Sequence, residues 1–187
     1  SPTEVEIALL EGSKLVEIHR QKTNNNSTVG DIFLGSAKKL MPGLNAGFMD
    51  IGHRKDAFLH YTDLGPQIKS LIKFTNAVMK GSYNSPLLDN FELEADNPKT
   101  GKIDQVFDKN THVLVQVLKE PISTKGPRLS CEITLPGRYV VLTPFTDIVA
   151  VSKKIGSVDE RKRLKVLVES IKPKNFGVIV RTAAEGK

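Results

Sequence analysis

Four short apolar runs, each set off by a glycine-containing turn, constrain this chain more than anything else in it. Residues 31–39, 46–51, 57–60 and 111–118 read as strands. Short, closely spaced strands with glycines at the bends predict a small β-barrel, because closing the sheet removes its exposed edges.

The segments on either side have different patterns. Val5, Ile7 and Leu9 alternate with Glu4, Glu6 and Ala8; Glu11-Gly12-Ser13 is a turn, and 14–19 resumes with Val16 and Ile18 on one face. This predicts a hairpin too small to stand alone, which is expected to pair with another sheet. Asn24-Asn25-Asn26-Ser27 is a polar connector.

Residues 65–110 interrupt the strand series. Gly65-Pro66 opens a stretch with Ile68, Leu71, Ile72, Val78 and Met79 at helical spacing, closed by Gly81. Residues 82–110 are acidic and rich in Asn, Asp, Pro and Gly. They read as a partly mobile insertion whose charge disfavours contact with a polyanionic backbone.

The last third is α+β. Residues 128–134, 138–142 and 148–151 read as strands. Ser157-x-x-Glu160 is a capping box opening a helix to about Ser170, with Leu164, Leu167, Val168 and Ile171 as its buried stripe. Pro173 stops the helix, and 177–180 returns as a strand.

Charge follows the same division. Residues 1–120 carry 14 Lys+Arg against 15 Asp+Glu, whereas 121–187 carry 13 against 6. The whole basic surplus lies in the last third, which favours a polyanionic partner there. The 187 residues allow one domain or two small ones. No apolar run reaches membrane-span length and no signal-peptide pattern is present. The single cysteine, Cys131, excludes an internal disulfide and a multi-cysteine zinc site, and a reducing compartment is the simplest home.

A hydrolytic centre is hard to find. His19, His53, His60 and His112 are scattered, with no metal-binding spacing. Asp50, Asp56 and Asp63 read as solvated turn acids, and Cys131 as a buried structural thiol. No phosphate loop of the G-x-x-x-x-G-K-[ST] kind occurs. The chain reads as a binder.

Three features could do the binding. Phe48 and Phe58 occupy strand positions with Lys38, Lys39, Arg54 and Lys55 nearby, an arrangement that suits stacking on bases, although both rings would equally suit a core. Lys125 lies in the tight polar loop Ser123-Thr124-Lys125-Gly126-Pro127, where it could meet a phosphate. Residues 177–180 run straight into Arg181-Thr182 and a small-residue turn. That presents a guanidinium fork, a hydroxyl and backbone amides to one phosphate group.

Six motifs then occur in order: Gly30-Asp31-Ile32-Phe33-x-Gly35; Pro42-Gly43-x-x-Ala46-Gly47-Phe48-x-Asp50-Ile51-Gly52; Ala57-Phe58-Leu59-His60; Thr124-Lys125-Gly126-x-Arg128-Leu129-Ser130; Ile133-Thr134-Leu135-Pro136-Gly137-Arg138-Tyr139; and Val180-Arg181-Thr182-Ala183-Ala184-Glu185-Gly186. Together they resemble the N-terminal part of the bacterial ribonuclease E/G family, its ribonuclease G branch above all. The resemblance runs from about Val5 to Lys187, broken only by 65–110.

It implies a hairpin (1–30) from a split ribonuclease-H-like subdomain, an S1 barrel of the OB-fold type (31–127, insertion 65–110) and a 5′-sensor region (128–187). By the same resemblance Phe48, Phe58 and Lys125 would contact single-stranded RNA. Arg181 and Thr182 would bind the RNA's 5′-monophosphate in a pocket also lined by Gly137 and Val141. Lys153 stands where the family can have arginine, keeping the charge but losing the planar fork.

The family's nuclease centre is a magnesium-binding aspartate pair in a later domain, and no position here matches it. The chain is therefore expected to be an N-terminal fragment, inactive alone, of a cytoplasmic, homo-oligomeric endoribonuclease of rRNA processing and mRNA decay. The alternatives are a self-contained S1-type RNA-binding module and a structural domain that never meets RNA.

Overall fold

Strand after strand, the barrel segment folds where its alternation places it. The computed structural model describes residues 4–22, 27–85 and 87–187; the Asn24–Asn26 part of the expected connector lies outside them. Strands β3 (Ile32–Met41), β4 (Ala46–Asp50), β5 (Ala57–His60), β6 (His112–Lys119) and β7 (Arg128–Ser130) form a closed barrel in the order β3-β4-β5-β7-β6. Period-2 alternation sends Met49, Ala57, Leu59, Val113, Val115 and Leu129 inward, each at most 1% exposed. The intervening side chains, Phe48, Phe58 and His60, are half-buried on the outside.

The strand expected over 128–134 is shorter and differently employed. Arg128–Ser130 pairs parallel to β5 and antiparallel to β6, so it closes the barrel instead of joining the sheet that follows. Helix α1 (Ile68–Met79) spans the barrel's flank against β6. Its buried residues are Ile68, Ser70, Leu71 and Thr75, while Val78 and Met79 are exposed. The stripe is displaced because Thr75 Oγ1 satisfies itself on Leu71 O at 2.8 Å, which lets a hydroxyl take an interior position.

Residues 82–110 are not a loose insertion. Leu88, Phe91, Ile103 and Phe107 are core residues of the barrel cluster. Phe91 meets Phe74 of α1 and Phe145 with ring centroids 5.7 and 5.6 Å apart. The buried Asn175 amide donates to both Leu88 O and Phe91 O at 2.8 Å. The segment thus lies between the barrel and the last third and bonds to both.

The last third forms a four-stranded sheet, β8 (Leu135–Pro136), β9 (Val140–Pro144), β10 (Val149–Val151) and β11 (Phe176–Val180), in the order β10-β11-β9-β8. β10 and β11 are parallel, joined through α2 (Val158–Ile171), which covers one face. Ser157 caps α2 by accepting the Glu160 amide at 3.2 Å. Only Leu164 and Val168 of its expected stripe are buried; Leu167 and Ile171 are 45% and 71% exposed, because the helix meets the sheet along one i, i+4 line.

Glu160 also holds the chain end. Arg163 pairs with it through Nε–Oε2 and Nη2–Oε1, both 2.7 Å, and the Gly186 amide donates to Oε1 at 2.9 Å. The Arg163 bonds first, and the Gly186 amide second, hold its carboxyl at about 2, below the ordinary 4.5. A depressed carboxyl stabilises the fold above its unfolded value, and that contribution disappears as pH falls from about 4.5 through about 2. The Tm difference between wild type and Glu160→Gln should therefore be present at pH 7 and close by pH 2. A difference that stays constant with pH would refute the role given to this carboxylate.

Strands β1 (Glu4–Glu11) and β2 (Lys14–Lys22) form a separate two-stranded sheet. The two-residue turn needs Gly12 at φ +62°. Among the described residues the hairpin adds to no other sheet. Leu10 opposes Leu15 but Leu9 opposes Glu17, so Val16 is an extra, bulged residue. Beyond the bulge Ile7 faces His19, and Ile18 shares the other face with Ala8. The apolar residues are thus split between both faces.

Candidate nucleic-acid interface

On the barrel's outer face, β4 and β5 place Phe48 directly opposite Phe58. Their rings meet edge to face with centroids 5.9 Å apart. They line an open cavity of ≈ 740 Å³ with Lys55, Asp56, Thr124, Lys125, Gly126 and Arg128. The structure therefore brings the three barrel residues singled out in the sequence, Phe48, Phe58 and Lys125, to one place.

The loop carrying Lys125 is held against β5 from several sides. Lys125 N donates to Ile122 O at 2.9 Å, closing a tight turn. Lys55 Nζ donates to Ser123 O. Gly126 lies so close to β5 that a Cβ there would fall 2.1 Å from Asp56 O. The next residue but one, Arg128, is spent on structure: Nε and Nη2 grip Asp63 Oδ2 and Oδ1 at 2.8 and 3.0 Å. Lys55 and Lys125 remain the exposed cations beside the rings.

The three aspartates read as turn acids have separate roles. Asp63 holds Arg128, Asp50 Oδ1 accepts the Gly52 amide at 2.9 Å, and Asp56 Oδ1 accepts from Lys38 Nζ at 2.8 Å. The hydrogen bond to Asp56 pushes the Lys38 ammonium up from its usual value, with Asp50 adding a smaller pull in the same direction. Cys131 is buried, and burial pushes its thiol well above the usual range, so it is inert as a nucleophile.

A second cavity, ≈ 570 Å³, opens where β11 ends. Gly137, Arg138, Arg181 and Ala183 line it with Leu9, Val16, Glu17 and His19 of the hairpin. Arg181 N donates to Tyr139 O at 2.8 Å, and its Nη1 donates to Gly137 O at 2.6 Å. Its remaining donors have no protein partner among the described residues. Thr182 starts the short turn Thr182–Ala184. Val141 sits on β9 opposite Ile179, and Lys153 lies in the turn after β10, where Ser152 N bonds Val180 O at 2.9 Å. These three lie near Arg181 but outside the cavity wall.

Sequence reasoning reads Asp56 as a solvated turn acid and assigns no role to Arg138 or to the hairpin wall. Arg138 stacks over Tyr139 at 5.1 Å and approaches Glu11 at 3.5 Å. An Arg-Tyr pair ending a Gly turn was a usable signal for it; nothing in the spacing of β1 and β2 pointed to the wall.

The closed five-stranded barrel, in the order β3-β4-β5-β7-β6, fits the S1/OB-like class of small barrels. The model of the ribonuclease E/G family matches residues 134–187. Ribonuclease G of Haemophilus influenzae is 37% identical over 186 residues, covering 100% of this chain and 34% of the relative. Ribonuclease G of Escherichia coli K12 is 36% identical with the same coverage. Ribonuclease E of a Nostoc species is 44% identical over 160 residues, 85% of this chain and 19% of the relative. The chain belongs to the ribonuclease E/G family, and it spans about a third or less of the length of these curated relatives.

Among the described residues no group of three or more His, Cys, Asp or Glu is placed to hold a metal ion. None of them is assigned to magnesium. No helix among them is long and apolar enough to cross a membrane.

Proposed function

We infer that this chain is the RNA-binding and 5′-monophosphate-sensing region of a single-strand-specific endoribonuclease of rRNA processing and mRNA decay. The observation that carries the reading is the shared cavity of Phe48, Phe58 and Lys125 on the barrel's outer face. Rings there can stack on unpaired bases while the lysines meet the backbone. In this reading β4, β5 and the Lys125 loop belong to an S1 domain, residues 128–187 to a 5′-sensor, and the hairpin to a split ribonuclease-H-like subdomain.

The Arg181 cavity supports the sensor. One guanidinium donor is fixed on Gly137 O, so the fork is oriented and its other donors remain for a terminal phosphate. Val141, Thr182 and Lys153 complete the pocket's surroundings. The nuclease centre and its magnesium ligands lie outside these 187 residues, in a cytoplasmic, homo-oligomeric whole.

Fluorescence anisotropy tests both halves. Wild type should bind 5′-monophosphorylated single-stranded RNA on the order of tenfold more tightly than 5′-hydroxyl RNA, the size of a charge-assisted hydrogen bond. Arg181→Ala should erase that ratio. Equal affinity for the two ends, with binding intact, would favour the self-contained S1 module. Binding without a salt slope would overturn the RNA reading altogether, because neutralising phosphates releases counterions.

A further inference from the structure

Arg181 bonds the turn before β9 on both sides of one residue, and that residue is a second arginine. Arg181 Nη1 donates to Gly137 O at 2.6 Å, and its backbone amide donates to Tyr139 O at 2.8 Å. Gly137 N closes the turn by donating to Val140 O at 2.8 Å. Arg138 is thereby held beside Arg181, and both line the ≈ 570 Å³ cavity at the end of β11.

The Arg138 guanidinium lies over the Tyr139 ring, 5.1 Å from its centroid. Tyr139 packs against the core beneath α2, so the ring is a steady platform for a planar cation. Stacking covers one face of the fork and leaves its N–H edge to a partner. Glu11 of the hairpin takes that place at 3.5 Å. The contact is loose: the two side chains are 44% and 74% exposed, and ion pairs in such surroundings contribute little. Lys14 stands opposite Glu11 in the hairpin register, so a cation is near the carboxylate when Arg138 leaves it.

Charge decides what can replace Glu11. Besides the two arginines, the ionisable groups lining the cavity among the described residues are Glu17 and His19, which lie 3.2 Å apart. A phosphodiester carries a single negative charge and two unesterified oxygens, which two guanidinium forks exceed. A terminal phosphate carries nearly two charges at pH 7 and three acceptor oxygens. Its attraction to a pair of cations is about twice as large, and it can take a fork on each side.

We propose that Arg138 is a second ligand of the terminal phosphate, held on Glu11 until the phosphate displaces that carboxylate. Two arginines around one phosphate make the cavity selective for a monoester at a chain end over the diesters within the chain. The proposal rests on the reading of the Arg181 cavity as a 5′-monophosphate sensor, and its test separates the two. The full 187-residue chain and its variants are titrated by fluorescence anisotropy with one single-stranded RNA carrying a 5′-monophosphate or a 5′-hydroxyl. The ratio of the two affinities is the readout.

From a wild-type ratio on the order of tenfold, Arg138→Ala should bring it to about threefold or less. Arg138→Lys should fall between, since the charge is kept and the stacked fork is lost. Glu11→Gln should raise the ratio about twofold by removing the competitor for the fork. All three variants change exposed side chains. A ratio that survives Arg138→Ala, while Arg181→Ala abolishes it, would overturn the role of Arg138 and leave the sensor standing. Equal weakening of both RNAs by Arg138→Ala would overturn it too, because the contact would then be to the backbone. A ratio that does not rise in Glu11→Gln would overturn the displacement. A wild-type chain that binds both ends equally would overturn the sensor itself.

Discussion

Replacing Phe107 by Ala is expected to cost about 3–5 kcal/mol of stability, a fall of roughly 6–20 °C in Tm for a chain of this size. Phe107 is 2% exposed and belongs to the barrel cluster together with Leu88, Phe91 and Ile103 of the same segment. Its removal loses the ring's transfer free energy and leaves a cavity that the closed barrel cannot collapse to fill. The exposed Ile171, replaced by Ala, is the control and should stay within about 0.5 kcal/mol. Thermal unfolding followed by circular dichroism checks both, and a loss below about 1 kcal/mol for Phe107→Ala would show that residues 82–110 are decoration.

Gly126→Ala should damage the site through the fold. A Cβ at this position would stand 2.1 Å from the backbone oxygen of Asp56, and no flexible side chain is there to swing aside and relieve it. The collision falls at the barrel's seam, where β5 and β7 pair parallel and Phe58 N donates to Pro127 O at 2.8 Å. Either the seam opens or the Lys125 loop lifts from the rings. Overpacking of this kind costs about 1–3 kcal/mol, occasionally more. Single-stranded RNA binding should fall about tenfold, since ring and cation no longer converge on one nucleotide. A variant that keeps wild-type Tm and RNA affinity would refute the close approach.

How much of this was legible beforehand depends on the length scale of the cause. The barrel strands were readable because alternation and glycine turns are local, and the Ser157 cap because it spans three residues. Segment 82–110 was misread because its anchors Leu88, Phe91, Ile103 and Phe107 follow no period; an irregular chain buries apolar residues wherever its path meets the core. The α2 stripe was overdrawn for a related reason. Periodicity says which residues share a helix face, whereas contact with β10 and β11 decides how wide a strip is covered.

At the candidate sites the same division holds. The sequence alone determined which side chains are available: two aromatics at strand positions, a lysine in a tight loop, an arginine at the end of an apolar strand, and a basic last third. Tertiary structure alone decided what they stand beside. A bulge at Lys38 turned an unremarkable surface lysine onto Asp56, the parallel seam of β5 and β7 brought Lys125 to Phe48 and Phe58, and the bulge at Val16 left polar Glu17 and His19 in the wall around Arg181. Bulges, registers and long-range closure cost and return free energy only when distant segments meet, so they leave no periodic trace in the chain that encodes them.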